Sequence, residues 1–128
     1  MPHEELIEEL LADGVLKTPA IIAAFRAIDR INFIPEALKA SAYVNAPLPI
    51  GEGQTISQPY IVAYMTEVLR PARDHTVLEI GTGSGYQAAV LAELVREVVT
   101  IEIVPELAAR ARQTLAAAGY KNVTVRTG

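Results

Sequence analysis

Between Thr76 and Arg126 the sequence switches repeatedly between the two periodicities that define strands and helices, and this alternation leaves few folds open. Thr76–Ile80 (TVLEI) reads as a short strand, Gly81–Gly85 as a glycine turn, and Tyr86–Arg96 as a helix carrying Ala89, Leu91, Ala92 and Leu94. Val98–Ile103 (VVTIEI) reads as a second strand. Pro105–Ala118 is a second helix, opened by proline and closed by Gly119, and Val123–Arg126 begins a third strand. Strand, helix, strand, helix, strand is the signature of a right-handed parallel βαβαβ unit. The expected fold class is therefore α/β, a Rossmann-like half-sheet.

The first part of the chain reads as helices with irregular joints. Leu6, Ile7, Leu10 and Leu11 recur at helical spacing, and Gly14 supplies a stop. Thr18-Pro19 reads as an N-cap with proline at the first helical position, opening a helix with Ile21, Ile22, Phe25 and Ile28 on its apolar side. Pro35 is placed to start a further turn, EALKA. Tyr43–Gly53 holds Pro47, Pro49, Gly51 and Gly53, so a loop is expected there. Ser57 can cap a helix whose buried side would be Ile61, Met65, Val68 and Leu69, ended by Pro71. With 128 residues and no linker or repeat, a single domain over 1–128 is expected. Its N-terminal helices and a polar loop would occupy 1–75, and the βαβαβ unit 76–128.

Composition narrows the function classes. A net charge of −4 argues against nucleic-acid binding, which needs a basic face to neutralise phosphates. Cysteine is absent, which excludes thiolate catalysis, and no metal site is expected. The start MPHEELIEELL is acidic and amphipathic, unlike a secretory signal, and no apolar run approaches the length of a membrane span. A cytoplasmic protein with neither nucleic-acid nor membrane partners is the expectation.

The glycine loop carries the first functional signal. Gly81, Thr82, Gly83, Ser84 and Gly85 follow a strand and open a helix, the context in which backbone approaches a nucleotide-like ligand closely. A dinucleotide fingerprint would need glycine at 86, where this chain has Tyr86. Charge points the same way. A pyrophosphate gains nothing from the acidic Glu79 two residues before the first glycine, whereas the sulfonium and ammonium of S-adenosylmethionine are attracted by a carboxylate. Glu102, 17 residues beyond Gly85 at the end of the second strand, can accept both ribose hydroxyls. An NAD-binding protein is the reading that Tyr86 and Glu79 disfavour. The plain alternative is a structural turn flanked by incidental acids.

A second constellation lies earlier, in Ile50–Tyr60 (IGEGQTISQPY), where Gln54, Thr55, Ser57 and Gln58 gather neutral hydrogen-bonding groups. Read cold, Ser57 is a helix cap. Taken with AFRAIDRINFIPEAL, AYVNAPLPIGEGQTISQPYIVAYM, VLEIGTGSGYQAAVLAEL and VVTIEIVPELAARA, however, it resembles the protein-L-isoaspartate O-methyltransferases over nearly the whole chain. QTISQP is more diagnostic than the glycine loop, which many methyltransferases share. The resemblance implies methyl transfer from S-adenosyl-L-methionine, giving S-adenosyl-L-homocysteine, to the α-carboxyl of L-isoaspartyl residues in damaged proteins and peptides. It implies Ser57 as the active-site serine, with Thr55 and Ile56 bordering the transfer site. Glu79, Gly81, Thr82, Gly83, Ser84 and Gly85 match the cofactor loop, and Glu102 with Ile103 the ribose side.

The chemistry suits the inventory. A substrate carboxylate, with a reference pKa near 3.5 to 4, is already ionised at neutral pH and needs no general base. Neither His3 at the terminus nor His75 before the first strand is expected to be more than surface. The family's domain continues past the third strand, whereas this sequence ends at Thr127-Gly128. The expectation is a truncated form with an unpaired edge at the first strand, a route to self-association. The alternative function is a non-catalytic fragment that binds S-adenosylmethionine weakly or associates through that edge.

Overall fold

Proline opens four of the five helices. Its fixed φ and missing N–H are harmless in a first turn, and Pro2, Pro19, Pro59 and Pro105 each stand there. A computed structural model describes residues 1–128. Helices α1 (Pro2–Ala12) and α2 (Pro19–Ala27) lead into two 3-10 turns, Arg30–Phe33 and Glu36–Ser41. Strands β1 (Leu48–Gly51) and β2 (Gln54–Ile56) and helix α3 (Pro59–Leu69) follow. The remainder is β3 (Thr76–Ile80), α4 (Tyr86–Ala92), β4 (Glu97–Glu102), α5 (Pro105–Ala117) and β5 (Val123–Thr127). No helix is long and apolar enough to cross a membrane.

The expected parallel unit is present. Strands β3, β4 and β5 lie side by side in that order, all parallel, with Leu78 opposite Val99 and Thr100 opposite Val125. Strand β3 has one hydrogen-bonded neighbour in this chain. The two faces of the sheet differ sharply. Val98 and Thr100 point to the face covered by α4 and α5 and are fully buried, while Leu78 and Ile80 on the other face are 61% and 75% exposed. One core cluster runs from Leu6, Leu10 and Phe25 through Ile50 and Val62 to Val90, Leu107 and Leu115, joining the N-terminal helices to the covered face. Each such buried aliphatic side chain is worth about 1.5–3 kcal/mol.

Three expectations are corrected. Tyr43–Gly53 is not wholly a loop, because Leu48–Gly51 pairs antiparallel with Gln54–Ile56. Pro49 is tolerated since a two-stranded ribbon has outer edges where no N–H is required, and Gly51, Glu52 and Gly53 turn through positive φ at its tip. Helix α4 ends at Ala92 rather than Arg96. There the Leu94 N–H tightens to Leu91 O at 2.9 Å and the Asn122 amide takes Ala92 O at 3.0 Å, so the chain turns onto β4 with Leu94 and Val95 still buried.

Helix α3 is the third correction. Its buried side is Pro59, Val62, Ala63 and Thr66, while Ile61, Met65, Val68 and Leu69 are exposed. Apolar residues almost encircle this helix, so periodicity alone could not say which side faces the core. Its N-cap is Gln58, and no side chain bonds the cap, so Ser57 does not serve there.

Candidate active site

A cleft of about 410 Å³ opens where the hairpin, α3 and the C-terminal end of β3 converge. One wall is Thr55, Ile56 and Ser57. A second is Val62, Met65, Thr66 and Leu69 of α3, and the floor is Val77–Ile80 with Gly81–Ser84 and the start of α4. Residues more than twenty positions apart in sequence thus share one cavity, because the glycine loop leaves the C-terminal end of β3 and the hairpin packs beside it through Ile50.

The hairpin is fixed at several points. Arg110 of α5 donates to Ile50 O at 2.9 Å, and the Ile50 side chain lies beside Gly83. Arg30 donates to Ser57 O at 3.0 Å. Asn45 accepts from Tyr60 N at 3.0 Å, and its carbonyl accepts from the Gln58 amide at 3.1 Å. Thr55 and Ser57 are exposed at the cleft, whereas Ile56 between them is buried in the core, as alternation in a strand requires.

Glu79 is the one carboxylate in the lining. Its Oε1 accepts from the Thr100 hydroxyl at 2.6 Å, and Thr100 lies 2.6 Å from Thr82 Oγ1. Burial pushes the Glu79 carboxyl up to about 7; the Thr100 hydrogen bond opposes that shift and the nearby Glu102 charge reinforces it. A group poised at neutrality beside a cavity is a frequent mark of a binding site. Glu102 is placed differently. It is 5% exposed and outside the cleft lining; Oε1 accepts from Gly83 N at 2.8 Å and Oε2 from Val104 N at 3.0 Å. Here it ties the glycine loop to the start of α5, and a ribose contact would have to use the second lone pairs of the same oxygens.

Of the loop residues, Gly81, Thr82, Gly83 and Ser84 line the cleft and Gly85 does not. A Cβ at Gly85 would stand 3.4 Å from Leu115, so this glycine lets α4 approach α5. Ile103 is 77% exposed and also outside the cleft. His75 is exposed, its Nδ1 accepting from Ala72 N, and His3 bonds Arg26 O through Nε2. Sequence reasoning missed Thr66 and Gln87, which hydrogen-bond each other at 3.0 Å across the cleft, as well as Tyr86, Thr100 and Arg30. Thr100 carried a signal, being a polar residue on the inward face of an apolar strand. Arg30, a cation beside Asp29 in the otherwise uncharged AIDRINF, carried another.

Comparison with known proteins identifies the family. The family model for protein-L-isoaspartate(D-aspartate) O-methyltransferase matches residues 1–128. A protein-L-isoaspartate O-methyltransferase of Opitutus terrae is 57% identical over 126 residues, covering 98% of this chain and 54% of its own length. A solved protein-L-isoaspartate O-methyltransferase superposes with a TM-score of 0.87 at 30% identity, over 98% of this chain and 42% of that one. A Plasmodium falciparum beta-aspartate methyltransferase solved with S-adenosyl-L-homocysteine shares the fold, with a TM-score of 0.86 at 21% identity, over 98% of this chain and 62% of that one. The chain spans about half the length of the curated relatives it matches. With its glycine loop, hairpin and covering helices matched from end to end, the chain belongs to the protein-L-isoaspartate(D-aspartate) O-methyltransferase family.

Proposed function

We propose that this chain carries the cofactor loop and substrate hairpin of an S-adenosylmethionine-dependent methyltransferase acting on the α-carboxyl of L-isoaspartyl residues in proteins. The observation that carries the reading is the meeting of Thr55, Ile56 and Ser57 with Glu79 and Gly81–Ser84 in one cleft.

The residues present fit a cationic, phosphate-free cofactor. A Cβ at Gly81 would meet nothing within 4 Å, so the loop backbone is open where a ligand would lie, and the sole lining carboxylate is Glu79. Glu79 and Gly81–Ser84 would hold the cofactor, and Glu102 fixes Gly83 within that loop. When bound, S-adenosylmethionine supplies a methyl group activated by its positive sulfur.

The work left to the chain is positioning. Ser57 Oγ makes no hydrogen bond within the chain and is exposed at the cleft, free to donate to a substrate carboxylate. Thr55 stands beside it. Ile56, Val62, Met65 and Leu69 give the cleft an apolar wall against which a bound substrate would displace water, and orientation with water exclusion is what an in-line displacement needs. Methyl transfer to a peptide containing isoaspartate, with the aspartyl peptide as control, tests the reading. Labelling of the isoaspartyl peptide alone is the expected result; equal labelling of both, or of neither, overturns it.

A further inference from the structure

We propose that Arg30 is a positioning residue for the methyl transfer, its buried guanidinium fixing the Ser57 backbone against the helix that continues the glycine loop. The inference rests on the methyl-transfer reading above. Arg30 is fully buried at the head of the turn Arg30–Phe33. Its Nη2 donates to Ser57 O at 3.0 Å and reaches Ala46 O at 3.5 Å. Its Cζ lies 5.1 Å from the centre of the Tyr86 ring, within cation–π range. Tyr86 is the first residue of α4, directly after Gly85, and its ring is held edge-on by Phe33 at 5.6 Å and Phe25 at 6.3 Å. One side chain therefore links the backbone of the candidate serine to the residue next to the cofactor loop.

The energetics say that packing does not require this residue. Arg30 forms no ion pair, and its Nε and Nη1 are buried without a partner. A buried, incompletely paired charge is costly, and a methionine of similar length would fill the space without that penalty. What methionine could not supply is the donor to Ser57 O. Because Ser57 Oγ has no partner in the chain, its location depends on its backbone, and Arg30 is the side chain that grips that backbone.

The test compares Arg30→Met and Arg30→Lys with the unaltered chain. The readouts are melting temperature, S-adenosylhomocysteine titration, amide exchange over residues 54–60, and kcat and KM for an isoaspartyl peptide. For Arg30→Met we expect a melting temperature within about 5 °C. Cofactor-product affinity should hold within about twofold, while exchange quickens over 54–60 and kcat falls by at least about tenfold with a smaller change in KM. Arg30→Lys, which keeps a donor, should fall between the two. Unchanged exchange and kcat in Arg30→Met would overturn the proposal. So would a large loss of melting temperature with exchange raised throughout the core. If Arg30→Met does not fold, Arg30→Lys decides: faster exchange confined to 54–60 supports the proposal, and a core-wide rise or none overturns it. A wild-type chain that binds S-adenosylhomocysteine but transfers no methyl group counts against the methyl-transfer reading, while exchange over 54–60 still decides what places Ser57.

Discussion

The Thr100 hydroxyl donates to Glu79 Oε1 at 2.6 Å, so the only carboxylate lining the cleft is held from within the sheet rather than by solvent. Thr100 has one hydroxyl proton and gives it to Glu79, which makes Thr82, 2.6 Å away, the donor to Thr100. The chain of bonds runs from the glycine loop through β4 to the cleft.

This arrangement gives the site a pH dependence whose sign is fixed. Glu79 titrates near 7 in the folded chain, against about 4.5 for an ordinary glutamate. Between those values the folded state holds a proton that the unfolded state has lost. Its contribution to stability is therefore full below about 4.5 and is lost as pH rises through 7. Wild type minus Glu79→Gln, measured by denaturant titration at several pH values, should show that decline. Binding runs the other way. A cation beside Glu79 favours the ionised form, so affinity for S-adenosylmethionine should rise by up to about tenfold per unit below pH 7 and then level off. Glu79→Gln should bind more weakly with a flat profile, and parallel profiles in calorimetry would remove Glu79 from the site.

Thr100→Val tests the support behind it. Valine matches threonine in shape, so no cavity forms, but Glu79 loses its donor and Thr82 its acceptor. The expected loss is about 1–2 kcal/mol in urea unfolding. The Glu79 titration, followed by carboxyl NMR, should move further upward, because burial then acts without the opposing hydrogen bond. An unmoved titration would mean that Thr100 does not hold the carboxylate in solution.

The parallel unit was legible because strand and helix periods differ and because proline and glycine mark the ends of α5. The hairpin was not. Pro49, Gly51 and Gly53 individually argue for a loop, and only the pairing of Leu48 with Ile56 makes a ribbon of them. The orientation of α3 was hidden for another reason, since both of its sides are apolar and the choice between them is made by contacts remote in sequence. Glu79 and the Thr55–Ser57 segment were readable as candidates, and the fold brings them to one cleft. Glu102 was readable as an acid at a strand end, but its hold on Gly83 N and Val104 N depends on how the glycine loop folds back, which no local pattern encodes.

Ser57→Ala separates chemistry from folding. Ser57 is exposed and its hydroxyl bonds nothing in the chain, so stability should stay within about 0.5 kcal/mol. A hydrogen bond to a charged carboxylate is worth about 1.5–3 kcal/mol, so kcat/KM for the isoaspartyl peptide should fall about tenfold to a hundredfold. Affinity for S-adenosylhomocysteine should not change. A folded variant with full activity would dismiss Ser57 as the carboxylate donor.

Two glycines with the same φ should fail in different ways. Gly81 and Gly85 both sit at φ +90°, so alanine at either costs backbone strain of about 1–3 kcal/mol. At Gly85 the new methyl would also press on Leu115 at 3.4 Å and lie 3.6 Å from Ala111, so α4 and α5 must separate slightly. At Gly81 it would meet no atom of the chain and would stand in the open space beside the cleft. Gly85→Ala should therefore lose more stability in denaturant unfolding, while Gly81→Ala should lose more affinity for S-adenosylhomocysteine in calorimetry. The reverse ranking would mean that the third glycine of the loop, not the first, is the one a ligand touches.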